Sequence, residues 1–247
     1  MHISLQAEVL GEIFGLPITN SLVLSLLTAF LLVGGGFLVA RALQLVPGKA
    51  QNTAELVVDS ILDFMTQVAG DRRQALKFFP LVAAIFLFVL LNNWIGVLPG
   101  TGSIGFYEEV DHHEVFVPFF RSANADLNTT FALAFIAVIA IQLYAIKKLG
   151  FFGHVGKYLN FTHGPIHFFV GLLELVGEFA RVLSFSFRLF GNIFAGEVLL
   201  IIIMSLVPVL IPLPFIFLEY FVGFIQALVF AMLTLVFLKV AITEVEH

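Results

Sequence analysis

The sequence predicts an all-α integral membrane protein with about five membrane-embedded helices and one interfacial amphipathic helix, the last two helices forming a long tilted antiparallel hairpin. Three observations predict it. Hydrophobic residues make up 60% of the 247 and charged residues only 12%, with a mean hydropathy of +1.05, far outside the range of soluble domains. Apolar runs of bilayer-spanning length recur along the chain. The charges are sorted between those runs, basic in two connecting segments and acidic in another. Nothing basic is clustered enough to suggest nucleic acid. The absence of Cys excludes disulfides, thiolate metal sites and thiol catalysis together.

In chain order, residues 1–20 form an outer N-terminal segment. Its opening, "MHISLQAEVLGEIFGLP", carries two Glu and no Lys or Arg, so it lacks the basic region of a signal peptide and is expected to remain in the mature chain. Spans follow at 21–40, 78–98 and 130–146, each long enough to cross about 30 Å of hydrocarbon. Between the first two, "NTAELVVDSILDFMTQVAG" alternates faces at helical spacing, which predicts an interfacial helix over 50–69. The two last runs, 164–206 and 213–241, are the hairpin helices. The whole of 1–247 reads as one membrane domain.

Eight of the twelve basic residues lie in the segments joining span one to two and three to four: Arg41, Lys49, Arg72, Arg73, Lys77, Lys147, Lys148 and Lys157. By the positive-inside rule these segments face the cytoplasm. The segment "GTGSIGFYEEVDHHEVFVPFFRSANAD" has five acids against Arg121 alone, so it belongs outside. With five crossings the N-terminus is outside and the C-terminus cytoplasmic.

The run 164–206 would measure about 64 Å as one helix, twice the hydrocarbon thickness. No Pro interrupts it between Pro165 and Pro208. It is therefore expected to be continuous or gently bent and far from upright.

Polar residues on that run are aligned. At about 100° per residue, with Glu174 at zero, His163, His167, Glu178, Arg181, Arg188 and Asn192 all fall within a stripe about 80° wide. Glu197 lies about 140° away and must face something else. Arg188 sits mid-segment, where a cation is costly and is usually functional. Arg181 follows Glu178 by three positions, the spacing of an intrahelical ion pair. Glu174 and Glu178 suit either a water-filled vestibule or a defined proton-transfer role. His163 and His167 have metal-ligand spacing but no second matched pair, so no metal or cofactor is expected. The cluster Asp111, His112, His113, Glu114 reads as a solvated outer loop or a proton-gathering mouth. Asn92 and Asn93 suit interhelical hydrogen bonds.

In the last run Glu219 and Gln226 are seven apart and share a face. In an antiparallel hairpin, position numbers at equal depth add to a constant. The pairs Arg188–Gln226 and Glu197–Glu219 satisfy one constant to within two. The implied turn centre lies beside Pro208. Two carboxylates that close in lipid are expected to share one proton.

The run "FSFRLFGNIFAGE" closely resembles the signature of subunit a of F-type ATP synthase, and "NNWIGVLPG", "ADLNTTFALA" and "GFIQALVFAMLTLVFL" extend the resemblance in the family's order. Two departures stand out: Arg181-Val182 replaces the family's common basic residue followed by Pro, and Glu219 stands where some members carry His. The resemblance implies a non-catalytic stator subunit that carries ions past a rotating ring of c subunits through two offset half-channels. It implies Arg188 as the essential charge, with Asn192, Glu197, Glu219 and Gln226 on or beside the outer path; Glu174, Glu178, His167 and Asp126 are, apart from the resemblance, further half-channel candidates. The implied partners are the c-subunit ring, the b subunits of the peripheral stalk, membrane lipid and, indirectly, the F1 sector. The implied place is an energy-coupling membrane, the bacterial inner membrane foremost. A secondary ion antiporter is the alternative from another class. It would show internal repeats or broken helices, and the Arg188 segment has no convincing repeat in the first half. An intramembrane metalloprotease would need H-E-x-x-H, which is absent.

Overall fold

The helix starts coincide with side-chain caps. Thr19 Oγ1 accepts from the Leu22 amide at 3.2 Å, Asp71 from Arg73 and Gln74 at 3.1 and 3.3 Å, and Asp126 from Asn128 at 3.0 Å, each satisfying an amide the first turn leaves open. In the computed structural model, which describes residues 7–110, 113–151, 153, 165–207 and 210–243, the helices are α1 (Asn20–Arg41), α2 (Lys49–Ala69), α3 (Arg72–Val97), α4 (Leu127–Leu149), α5 (Pro165–Leu206) and α6 (Pro212–Thr243). Gly70, at φ 74°, ends α2 in the left-handed conformation so that α3 begins two residues later. The Asp71 cap explains why α3 starts at Arg72 and not at 78: its first turns are basic and lie outside the apolar run, yet are helical.

α5 is unbroken for 42 residues, hence about 63 Å long. Such a helix fits a bilayer only if strongly inclined or partly outside the hydrocarbon. Among the described residues five helices are long and apolar enough to cross a membrane: α1, α3, α4, and the stretches Phe169–Leu206 of α5 and Pro212–Ile242 of α6. Their outward faces carry Phe30 and Phe37, Phe135 and Ile139, Phe179 and Leu183, Phe217 and Phe221, all exposed. An apolar surface on that scale is what lipid requires. The chain is an all-α integral membrane protein.

α6 is the central helix, packed against α2, α3, α4 and α5. Ala227 and Ala231 are fully buried and let its neighbours approach closely. Around them Phe78, Val82, Ile141, Phe185, Leu189 and Leu235 form the core. α1 is peripheral, burying only Asn20, Ser21, Leu24 and Thr28. α2 buries Leu62, Met65 and Ala69 and leaves Leu56, Val57 and Phe64 exposed.

Two antiparallel hairpins stand in segments where the sequence shows no helical period. β1 (Val9–Ile13) pairs with β2 (Leu16–Thr19) through Phe14 and Gly15, both at positive φ, a turn whose twist matches that of its strands. β3 (Gly105–Val110) pairs with β4 (His113–Pro118) in the connection from α3 to α4. Asp111 and His112 lie outside the described residues.

Candidate functional site

α5 and α6 meet in the register their polar residues imply. Phe185 packs on Phe230 with ring centroids 5.0 Å apart, and a Cβ at Gly196 would overlap the Glu219 carboxyl group. Arg188, Gln226, Phe185, Leu189, Phe230 and Leu233 line one shallow depression. The pairs 185–230, 188–226 and 196–219 share one antiparallel register to within a residue.

The buried face of α5 explains how its polar residues divide. Val182, Phe185, Leu189, Ile193 and Leu200 are buried and centre about 70° from Glu174 on the helix circumference. Arg188 and Asn192 lie on one flank of that face, both exposed; Glu197 lies on the other. Arg188 Nη2 reaches Ser184 Oγ at 3.5 Å, a marginal bond, and Asn192 Nδ2 donates to the Arg188 carbonyl at 3.0 Å. Among the described residues no carboxylate pairs with Arg188. The guanidinium is offered outward, on a face of α5 that it shares with Ser184, Gly191 and Ala195, all exposed.

About 10 Å from Arg188 along the axis, Arg181 Nη1 donates to both Glu178 oxygens at 2.8 and 2.7 Å. Its guanidinium also lies over the Phe237 ring at 4.0 Å, a cation–π contact. Arg181 is thus the paired cation of the helix and Arg188 the available one. Glu174 is half-buried one turn away from that pair. His163 and the side chain of His167 lie outside the described residues.

About 14 Å from Arg188 in the opposite direction, a cation joins the expected pair of carboxylates. Glu197 accepts from Arg121 Nε at 3.1 and 3.3 Å, because the connection from α3 to α4 turns back into the helix bundle. Residues 121–126 are all buried. Asn124 Nδ2 donates to Asn93 Oδ1 at 2.7 Å and to the Val89 carbonyl at 3.3 Å. Ser122 sits where a Cβ on Gly96 would be, so only glycine at 96 admits the segment. Asn93 Nδ2 in turn donates to the Gly223 carbonyl of α6 at 2.9 Å, and Asn92 holds Phe88 and Thr28, so both asparagines serve interhelical bonds. Asp126, 6% exposed, caps α4. Buried beside these, Ser122 Oγ and Asn124 Oδ1 have no hydrogen-bond partner among the described residues.

Sequence reasoning missed Arg121. The one signal was its isolation: a single basic residue in an acidic connection, in a chain with an intramembrane carboxylate, Glu197, that had no assigned cation.

Residues 22–239 match the family described as ATP synthase A chain. The chain belongs to that family. It is 37% identical over 215 residues to ATP synthase subunit a of Syntrophobacter fumaroxidans, covering 85% of this chain and 79% of that protein. It is 35% identical over 224 residues to ATP synthase subunit a of Campylobacter jejuni, covering 90% and 88%, and 35% over 207 residues to that of Geobacter sulfurreducens, covering 83% and 79%. Within the ATP synthase A chain family, then, stand a membrane bundle, an exposed arginine on its longest helix and a buried carboxylate cluster toward that helix's far end.

Proposed function

We propose that the chain is the ion-carrying stator subunit of an F-type ATP synthase, not catalytic by itself, forming two offset half-channels against a rotating ring of c subunits. The observation that carries this reading is Arg188: a cation exposed partway along a helix of membrane-crossing length and left without a carboxylate among the described residues. In lipid such a charge needs an acidic partner from outside the chain, and a mid-membrane carboxylate on each c subunit supplies one. At about 4 Å and an effective dielectric near 20, the attraction is roughly 4 kcal/mol, or about three pKa units on the ring carboxyl. Arg188 therefore drives each arriving carboxyl to release its proton. A neutral carboxyl can turn through lipid and an ionised one cannot, so protons that enter by one half-channel ride the ring to leave by the other. The fixed charge of Arg188, always protonated, also blocks a direct leak between the paths.

Asn192 and Gln226 flank Arg188 at the ring face. Glu197 and Glu219, with Asp126 nearby in the chain's outer segment, serve the outer path; Glu174, Glu178 and His167 serve the inner one. Support for two sides comes from the charges at the bundle's ends. Arg72, Arg73 and Lys77 open α3, Lys147 and Lys148 close α4, and Lys148 Nζ donates to the Ile242 carbonyl of α6 at 2.6 Å. The positive-inside rule makes this end cytoplasmic and the N-terminus outer, in a bacterial inner membrane. The b subunits of the peripheral stalk hold the chain against rotation, and the F1 sector is reached through them.

The test is ATP synthesis driven by an imposed ion gradient. Arg188→Ala is expected to abolish it while the complex still assembles. Arg188→Lys is expected to fail largely too, because an ammonium reaches less far and can lose its proton when buried. Near-normal synthesis by the Ala variant overturns the reading.

A further inference from the structure

The basic residues at the end of the bundle where α3 begins and α4 closes are unequally engaged. Arg72 Nη1 pairs with Asp63 Oδ1 at 3.2 Å, and Lys148 Nζ donates to the Ile242 carbonyl at 2.6 Å. Among the described residues no hydrogen bond or ion pair reaches the side chains of Arg73, Lys77 and Lys147. Neither α3 nor α4 contains Asp or Glu, and Asp71, just before α3, directs its oxygens to the Arg73 and Gln74 amides.

Lys77 and Lys147 belong to one place. The Tyr144 ring of α4 meets the Phe78 ring of α3 edge to face, with centroids 5.3 Å apart. Lys77 Nζ lies 5.9 Å from the Tyr144 centroid and 5.7 Å from that of Phe78, within reach of a cation–π contact. Lys147 is three residues beyond Tyr144 and so its neighbour on the surface of α4. With Phe78 level with Tyr144 on antiparallel helices, the two lysines stand within about 3 Å of one height. Two ammonium groups thus flank one tyrosine at the seam between α3 and α4.

Below the lysines the seam is apolar. Pro80 and Ala84 share the face of Lys77 on α3, and Leu143 and Ile139 that of Lys147 on α4; all four are exposed. Both helices pack against α6, and the small side chains at 80 and 84 leave α3 low along this line. A cation at a membrane surface is stabilised by the phospholipid phosphates at the same depth. Stripes of hydrocarbon descending from both cations match the acyl chains of the same molecule, a combination that a free phosphate lacks.

We infer that Lys77, Tyr144 and Lys147 form a binding site for an anionic phospholipid: the two ammonium groups hold its phosphate, the tyrosine hydroxyl donates to a phosphate oxygen, and an acyl chain lies along the seam between α3 and α4. The site stands apart from the ion path and does not depend on the role of Arg188.

The experiment uses the intact complex in phosphatidylcholine vesicles that carry a trace of phosphatidylglycerol with a photoactivatable acyl chain. After illumination the label is mapped on this chain by mass spectrometry. It is expected on α3 and α4 beside the seam, where unlabelled phosphatidylglycerol should displace it and inorganic phosphate should not. Displacement by inorganic phosphate to the same extent would make this a site for a free anion and overturns the inference. So does equal labelling of the seam by a photoactivatable phosphatidylcholine with the same acyl chains, a comparison that needs no variant.

Lys77→Gln with Lys147→Gln is expected to lower labelling of the seam by phosphatidylglycerol about fivefold or more. Both lysines are exposed, so their loss leaves the core intact. Arg41→Gln with Lys49→Gln removes as much charge where α1 ends and α2 begins and should leave the labelling unchanged. Lys77→Arg with Lys147→Arg keeps both charges and should retain most of it. An equal fall in both glutamine pairs would show only a general attraction of the surface, and no fall in the first pair would show that the lysines hold nothing; either result overturns the site.

Discussion

The Glu219 carboxyl group occupies the space that a side chain at position 196 would need. Glycine there is what lets α6 bring a carboxyl onto the surface of α5, beside Glu197. Gly196→Ala would add a methyl group into that space and force the Glu219 side chain away. Intrinsic helix propensity favours Ala over Gly by about 1 kcal/mol, so the helix itself is not weakened. The expected result is a complex that assembles as well as the parent but conducts protons several-fold more slowly, read as passive conduction in stripped membranes. Unchanged conduction would mean that the position of Glu219 is not critical.

Glu219→Gln keeps the shape of the side chain and removes its ionisable proton. Proton entry is expected to slow without uncoupling, because in the proposed function the barrier to leak is Arg188, about 14 Å from Glu197 along α5. Conduction by the stripped complex should fall, and ATP-driven pumping with it. A rise in conduction would place Glu219 on the barrier and not on the outer path.

Asn93 joins three parts of the structure: its own helix α3, Asn124 of the buried outer segment and the Gly223 carbonyl of α6. Asn93→Ala leaves the Asn124 amide short of one acceptor and the Gly223 carbonyl without this donor. Each buried polar group so orphaned costs about 1–3 kcal/mol. The thermal midpoint of the purified complex should fall and the chain become more sensitive to proteolysis, whereas Asn93→Asp, which keeps an acceptor for Asn124, should recover part of the loss. No change in either measure would show that the outer segment is held elsewhere.

The helices were legible in the sequence because lipid imposes long apolar runs, and the run from Pro165 was legible as one helix because no proline interrupts it. Both hairpin helices lie within a few residues of where the apolar pattern puts them. The stripe holding Arg181, Arg188 and Asn192 was legible from the helical period alone, and the Glu178–Arg181 pair from its spacing of three. The hairpins were not, since β3 and β4 are short and held by backbone pairing that leaves no helical period to read. Nor was the partner of Glu197: Arg121 is 76 residues away in sequence and arrives through a connection whose burial depends on Gly96 leaving room for Ser122. A pairing made by a close backbone approach leaves no trace in composition or spacing.

Arg188 and Gln226 line the same depression on facing helices, so their side chains are interchangeable in place if not in reach. Arg188→Gln alone leaves no guanidinium at the ring face and is expected to lose ion-driven ATP synthesis. Adding Gln226→Arg returns the charge to the same depression from α6. The double variant should recover measurable synthesis, though less than the parent, because the side chain now approaches the ring from the neighbouring helix. Position 230 is unsuitable for a displaced control, since Phe230 is buried against Phe185 and an arginine there would disturb the core. Leu233 lines the depression seven residues beyond Gln226 and is only partly buried. Arg188→Gln with Leu233→Arg moves the charge about 10 Å along the axis, too far for one guanidinium to serve both places. Recovery by Gln226→Arg and none by Leu233→Arg would fix the level at which the ring carboxyl is met. Equal synthesis from both placements would show that any cation on this face suffices, and no recovery in an assembled complex would count against the shared position of Arg188 and Gln226.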